Sequence, residues 1–177
     1  MYGKLTKMAI PNKSLMIDIS LRIVLLFIFF IIFWQDSKDR LVYWFLYPLA
    51  GILAYVIQSI IIDNYFLSFY NSLLNFALVS VIIVVAWIYS AAIKKRKFIN
   101  ESIGVGDILM FLFLCFTFTT VTFIILFVFS LIFSLVLHQY LNNKSTQATV
   151  PLAGYIALFF ASVYIVSFFI QPKYLFA

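Results

Sequence analysis

The sequence predicts an all-α fold, a polytopic helical membrane protein with about six transmembrane helices. Two observations carry this. Of 177 residues, 66% are hydrophobic and only 10% charged, against about half and a quarter in a water-soluble domain. The apolar residues also fall in runs of about 20, the number a helix needs to cross a hydrocarbon core of about 30 Å. A soluble domain of this length cannot bury 22 Phe residues, and disorder is excluded because disordered chains are poor in aromatic and branched side chains. The single cysteine, Cys115, excludes an internal disulfide framework and a cysteine-built zinc site.

The first apolar run covers residues 15–35. Lys4, Lys7 and Lys13 precede it like the basic region of a signal peptide. It is followed by Phe33-Trp34-Gln35-Asp36 rather than by a small-x-small cleavage site, so it reads as a retained helix. The second run covers 41–62 and contains Pro48, which predicts a kink. The third covers 68–93. Residues 108–141 form an unbroken run of 34 residues, about 51 Å as one helix and too long for a single span. The cluster Thr117, Thr119, Thr120 and Thr122 marks the break, giving a short helix over 108–118 and a full one over 121–137. The last run covers 150–170. The whole of 1–177 reads as a single transmembrane domain.

Orientation follows from lysine and arginine in short loops. Lys38, Arg40, Lys94, Lys95, Arg96, Lys97 and Lys144 fall on one side, against Lys4, Lys7, Lys13 and Lys173 on the other. The seven-residue side is expected to face the cytoplasm. The net charge of +6 is thereby a membrane-surface signal, and no nucleic-acid partner is expected.

Six acidic residues occur: Asp18, Asp36, Asp39, Asp63, Glu101 and Asp107. An ionisable group in or beside a span is costly and calls for a reason. Asp18 has Arg22 four residues on, a local ion pair. Asp63 lies in a short external loop. Asp36 closes the first span, and Asp107 opens the fourth at the end of Gly104-Val105-Gly106-Asp107. Both fall at one membrane face. Two carboxylates brought level from different helices can share one proton, the arrangement with which aspartic proteases activate water. Helix polarity makes Asp107, at an N-terminus, the expected ionised base and Asp36, at a C-terminus, the expected protonated acid. Gly104 and Gly106 support the motif by allowing close approach of backbone. His138 is read as an interfacial anchor and Cys115 as a small buried hydrophobe. Asn71 and Asn75, on one helix face, are read as interhelical hydrogen-bonding groups. No metal and no cofactor is expected.

At these residues the chain resembles the type IV prepilin peptidase family, the GxGD kind of membrane aspartic protease. Asp36-Ser37-Lys38-Asp39-Arg40-Leu41-Val42 resembles the family's first-aspartate loop, Gly104 to Asp107 its second-aspartate motif, and Val150-Pro151-Leu152-Ala153 the start of its last helix. The resemblance implies Asp36 and Asp107 as the catalytic pair, with Asp39 a weaker candidate for the first position. It implies an aspartic-type endopeptidase (a hydrolase) of the bacterial cytoplasmic membrane, its aspartates toward the cytoplasm. The implied substrate is a prepilin-like precursor with a basic leader and an apolar helix, with Asp39 and Glu101 as leader contacts. Two positions depart from the family: Tyr43 stands where a Pro is common, and Leu109 where a Lys is common. The cysteine-containing N-terminal methylase domain of bacterial members is not expected here. The alternatives are a catalytically inactive membrane scaffold or assembly homologue, motivated by Leu109 and Tyr43, and a small proton-coupled transporter. Against the transporter, the acids gather at one face rather than near the midplane.

Overall fold

The computed structural model describes residues 12–90, 92, 104–141, 151–170 and 175–176. Within them are six α-helices: α1 (Asn12–Asp39), α2 (Leu46–Ile62), α3 (Tyr65–Tyr89), α4 (Val105–Leu114), α5 (Thr120–Leu141) and α6 (Leu152–Val166). Three of them, α1, α3 and α5, are long and apolar enough to cross a membrane. Large apolar side chains cover the outside, among them Phe66, Phe169, Val121 and Ile52. Surface of that extent and kind is solvated by lipid, not by water.

The centre of the bundle is the antiparallel pair α1 and α6. Along α1 the buried residues Asp18, Arg22, Leu25, Phe29, Ile32 and Asp36 recur at intervals of four and three, one stripe of a helix. The facing stripe on α6 is Ala153, Ala157, Phe160, Tyr164 and, just past the helix, Ser167. Phe29 meets Tyr164 with ring centroids 6.0 Å apart. The α1 stripe is apolar in the middle and carries charged side chains at both ends, where they meet Ser167 at one end of α6 and backbone N–H groups at the other.

At one end Arg22 pairs with Asp18 (Nη2 to Oδ2, 2.8 Å). Its Nη1 also donates to the carbonyl (3.1 Å) and hydroxyl (2.9 Å) oxygens of Ser167. The expected local ion pair is therefore buried, and it also caps the C-terminus of α6, where a cation is favoured. At the other end Asp36 meets the N-terminus of α6, as described below. Arg22 to Asp36 spans about 21 Å of helix and Gly154 to Ser167 about 20 Å, at 1.5 Å per residue. The two clamps fit one register.

The long apolar run is broken as expected. Residues 115–119 are non-helical, and Cys115, Thr117 and Phe118 are buried there. A break at membrane depth is tolerated only where protein satisfies the freed backbone groups. Asn75 of α3 does so, its amide donating to the carbonyls of Cys115 and Phe118, each at 3.0 Å. Thr117 Oγ1 donates to the carbonyl of Leu114 (2.6 Å), and Thr120 Oγ1 donates to Asn71 Oδ1 (3.2 Å). The interhelical role expected for Asn71 and Asn75 is thus to hold the α4–α5 break.

The start of the second run is corrected. Residues 41–45 are a connection, with Trp44 and Leu41 strongly exposed, and α2 begins only at Leu46. Pro48 is then the third residue of α2. The first four N–H groups of a helix have no intrahelical partner, so a proline there starts the helix rather than kinking it. Gly51 of α2 admits Phe113 of α4; a Cβ at Gly51 would lie 2.8 Å from the Phe113 ring.

Candidate functional site

α1 delivers Asp36 in its last turn, 8% exposed. The helix then stops in a polar segment, Ser37, Lys38 and Asp39, and turns at Arg40, whose φ of 56° is left-handed. A non-glycine residue in that conformation costs about 1–2 kcal/mol and is informative when found beside buried charge. It leaves the Arg40 guanidinium close enough to act electrostatically on both Asp36 and Asp107.

α4 delivers Asp107. Gly104 is its N-cap, with extended backbone (ψ 148°). The carboxylate of Asp107, two residues past the first helical position, reaches back to accept the Gly104 N–H at Oδ2 (3.2 Å). This is one half of a capping box. The other oxygen, Oδ1, accepts the N–H of Ala153 at 2.8 Å.

α6 joins the two. The N–H of Gly154 donates to Asp36 Oδ2 at 2.6 Å, so consecutive backbone amides, those of Ala153 and Gly154, hold one carboxylate each. Both belong to the first turn of α6, which carries the unpaired N–H groups and positive pole of its dipole. Gly154 is required for this approach. A Cβ there would lie 3.0 Å from both Cβ and Oδ2 of Asp36 and 3.4 Å from the Phe33 carbonyl.

The structure thus brings together Asp36 and Asp107, 71 positions apart in the chain, with Gly104 at the cap and Gly106 against the side chain of Tyr47. Asp39 is at the end of α1 and exposed. Glu101 lies outside the described residues, as do the basic residues 94–97 and Lys144. Leu109 is on α4 and partly buried, packed on the core. Tyr43 is exposed and stacks on Phe45 (5.7 Å between centroids). His138 faces Tyr155 at 6.4 Å.

Sequence reasoning passed over three members of this site: Tyr47, Gly154 and Arg40. Tyr47, on α2, is 1% exposed, and both carboxylates act on it electrostatically. Gly154 follows directly on the quoted Val150–Ala153 segment, and its signal was a glycine three residues after a proline at a helix start. Arg40 reads in sequence as a loop cation, and nothing in its local sequence distinguishes it from Lys38.

The helix polarity expected at the two acids is corrected by α6. Each now sits at the N-terminus of α6, so Asp36 is not simply at an unfavourable helix end. Asp107 still has more support for a negative charge, two backbone N–H groups against one. Chemically, the arrangement presents two carboxyl groups with different hydrogen bonding, a nearby guanidinium and a buried phenol at one end of an apolar bundle. No protein-family model, no curated protein and no solved structure matches this chain.

Proposed function

We propose that the chain is a membrane aspartic endopeptidase in which Asp36 and Asp107 activate water against a peptide bond at the membrane face. The observation that carries this reading is the convergence of the two carboxylates on adjacent backbone amides of α6. A pair used only for anchoring has no need to meet. Held so, one carboxylate takes a proton from water while the oxygen adds to the peptide carbonyl. The other, protonated, carboxyl gives its proton to the carbonyl oxygen, and a gem-diol results. The first proton then passes to the amide nitrogen while the second carboxylate takes one back from a gem-diol hydroxyl; the C–N bond breaks, an amine and a carboxylic acid leave, and both carboxyl groups return to their starting states. Asp107, with two N–H donors, is the base in this scheme and Asp36 the acid.

The substrate class proposed is a precursor with a short basic leader and an apolar helix, of the prepilin kind. The apolar helix lies against the lipid-facing bundle while the leader extends into the aqueous phase at the end that carries Asp36, Lys38 and Asp39. That end is proposed to face the cytoplasm of a bacterial cell, from the lysine and arginine distribution. Asp39, exposed at the end of α1, is the described residue proposed to meet leader cations.

The test is cleavage by the purified chain, in detergent or liposomes, of leader-bearing precursors, followed by gel shift and by mass spectrometry of both products. The expected outcome is one cut between leader and apolar helix, abolished by Asp36→Ala and by Asp107→Ala with membrane insertion retained. Cleavage that survives both substitutions refutes the dyad.

A further inference from the structure

Tyr47 brings a buried hydroxyl to this site. Its side chain is 1% exposed, and its hydroxyl has no hydrogen-bond partner among the described residues. A buried hydroxyl is ordinarily paired, and one without a partner calls for an explanation such as an ordered water or a ligand. Its position is fixed by packing. Gly106, next to Asp107, lies against the ring edge, so that a Cβ there would be 2.8 Å from the hydroxyl and 3.7 Å from Cζ. Asp36 and Asp107 both act on it electrostatically, yet it hydrogen-bonds to neither. An oxygen of water or substrate is the kind of partner that completes such a hydroxyl.

The donors and acceptors give the hydroxyl its task. The two carboxyl groups have accepted the α6 and Gly104 amides and serve the reaction as proton carriers. Neither is a fixed donor. A phenol is a donor that keeps its proton through neutral pH. Directed at an oxygen held between the carboxyls, it stabilises negative charge developing there without itself exchanging a proton, as the donors of an oxyanion site do.

We infer that Tyr47 is a further catalytic residue, its O–H donating a hydrogen bond to the reacting oxygen held between Asp36 and Asp107, the water at rest and a gem-diol oxygen in the intermediate. This rests on the peptidase reading. No bond to Tyr47 forms or breaks, and its proton stays on the phenol.

The experiment compares wild type, Asp36→Asn, Asp107→Asn and Tyr47→Phe in the purified full-length chain, measuring kcat, KM and thermal stability. Tyr47→Phe removes only the oxygen. The expected result is kcat lower by about a hundredfold, with KM unchanged because the hydrogen bond strengthens only as charge develops. The melting temperature is expected to hold. A peptide carrying a hydroxyethylene group in place of the scissile bond is expected to bind Tyr47→Phe more weakly, while its deoxy counterpart binds both equally. A purely structural tyrosine does not move that ratio. Should Tyr47→Phe fail to fold, Gly106→Ala, whose methyl presses on the hydroxyl, is expected to lower kcat at constant KM. If both Asp→Asn variants are inactive and Tyr47→Phe (or, in its place, Gly106→Ala) turns over at the wild-type rate, the inference is overturned and the dyad stands. If wild type cleaves no leader-bearing precursor, or either Asp→Asn variant cleaves normally, the peptidase reading falls and this inference with it.

Discussion

At the scale of single residues, close approach decides what the site can hold. Asp36 reaches the amide of Gly154 because position 154 has no side chain. Gly154→Ala places a methyl 3.0 Å from the carboxylate it must accommodate, and α1 has to retreat from α6. Overpacking of this kind costs about 1–3 kcal/mol. The expected outcome is a lower melting temperature in detergent together with reduced precursor cleavage, since the displaced group is the proposed acid. Unchanged melting and cleavage would show that α1 and α6 are not in contact there. Asp36, Asp107, Gly104 and Gly106 were legible in the sequence because each stands out against an apolar background: an acid at a span edge, or two of only five glycines. Tyr47 was not legible. In a chain with 11 Tyr its neighbours Leu46 and Pro48 mark nothing, and its role appears only when α2 brings it to Gly106.

At the scale of elements, α1 and α6 form the frame that sets the site. Polar contacts hold the far end through Arg22, Asp18 and Ser167. Arg22→Met leaves Asp18 buried without its cation, a loss expected to cost about 3–5 kcal/mol. Replacing both members by apolar residues, Asp18→Leu with Arg22→Met, removes the unpaired charge, and most of the stability is expected to return. Thermal melts of the two variants in the same detergent check this, and a double variant as unstable as the single one contradicts it. The i,i+4 spacing made the Asp18–Arg22 pair readable. Ser167, 145 residues beyond Arg22, is a tertiary partner that no local pattern encodes. The opposite case is the α4–α5 break. Its position was readable because threonines interrupt an otherwise uniform run, and Asn71 and Asn75 supply the hydrogen bonds that let it be buried. The α2 boundary was not legible because Tyr43, Trp44 and Phe45 are apolar in composition yet form a connection, Tyr43 stacked on Phe45 and Trp44 edge-on to it.

For the molecule as a whole, the amino-acid composition was sufficient for the class, a helical membrane protein: the described residues form six helices with apolar side chains directed outward. It was not sufficient for sidedness, which rests on lysines and arginines that lie partly outside the described residues. Cys115 is fully buried and is the chain's single cysteine, so the native protein is expected to stay dark to a membrane-impermeant maleimide. Lys38→Cys in the last turn of α1 and Tyr65→Cys at the start of α3, exposed positions that precede and follow α2, then report orientation in intact cells. Labelling of Tyr65→Cys alone, with Lys38→Cys reacting only after lysis, is the expected result. The reverse pattern would place Asp36 on the outer face and remove the cytoplasmic leader from consideration.

Asp36 and Asp107, held by consecutive amides of α6, are proposed to act as one unit. The most direct measurement is the rate of precursor cleavage by wild type, Asp36→Asn, Asp107→Asn and the double variant under one set of conditions. Groups that act together are non-additive, so each single substitution is predicted to lower the rate as far as the double does. Single losses that multiply in the double variant, or one single variant that keeps its activity, would show that the two carboxyl groups do not work as a dyad.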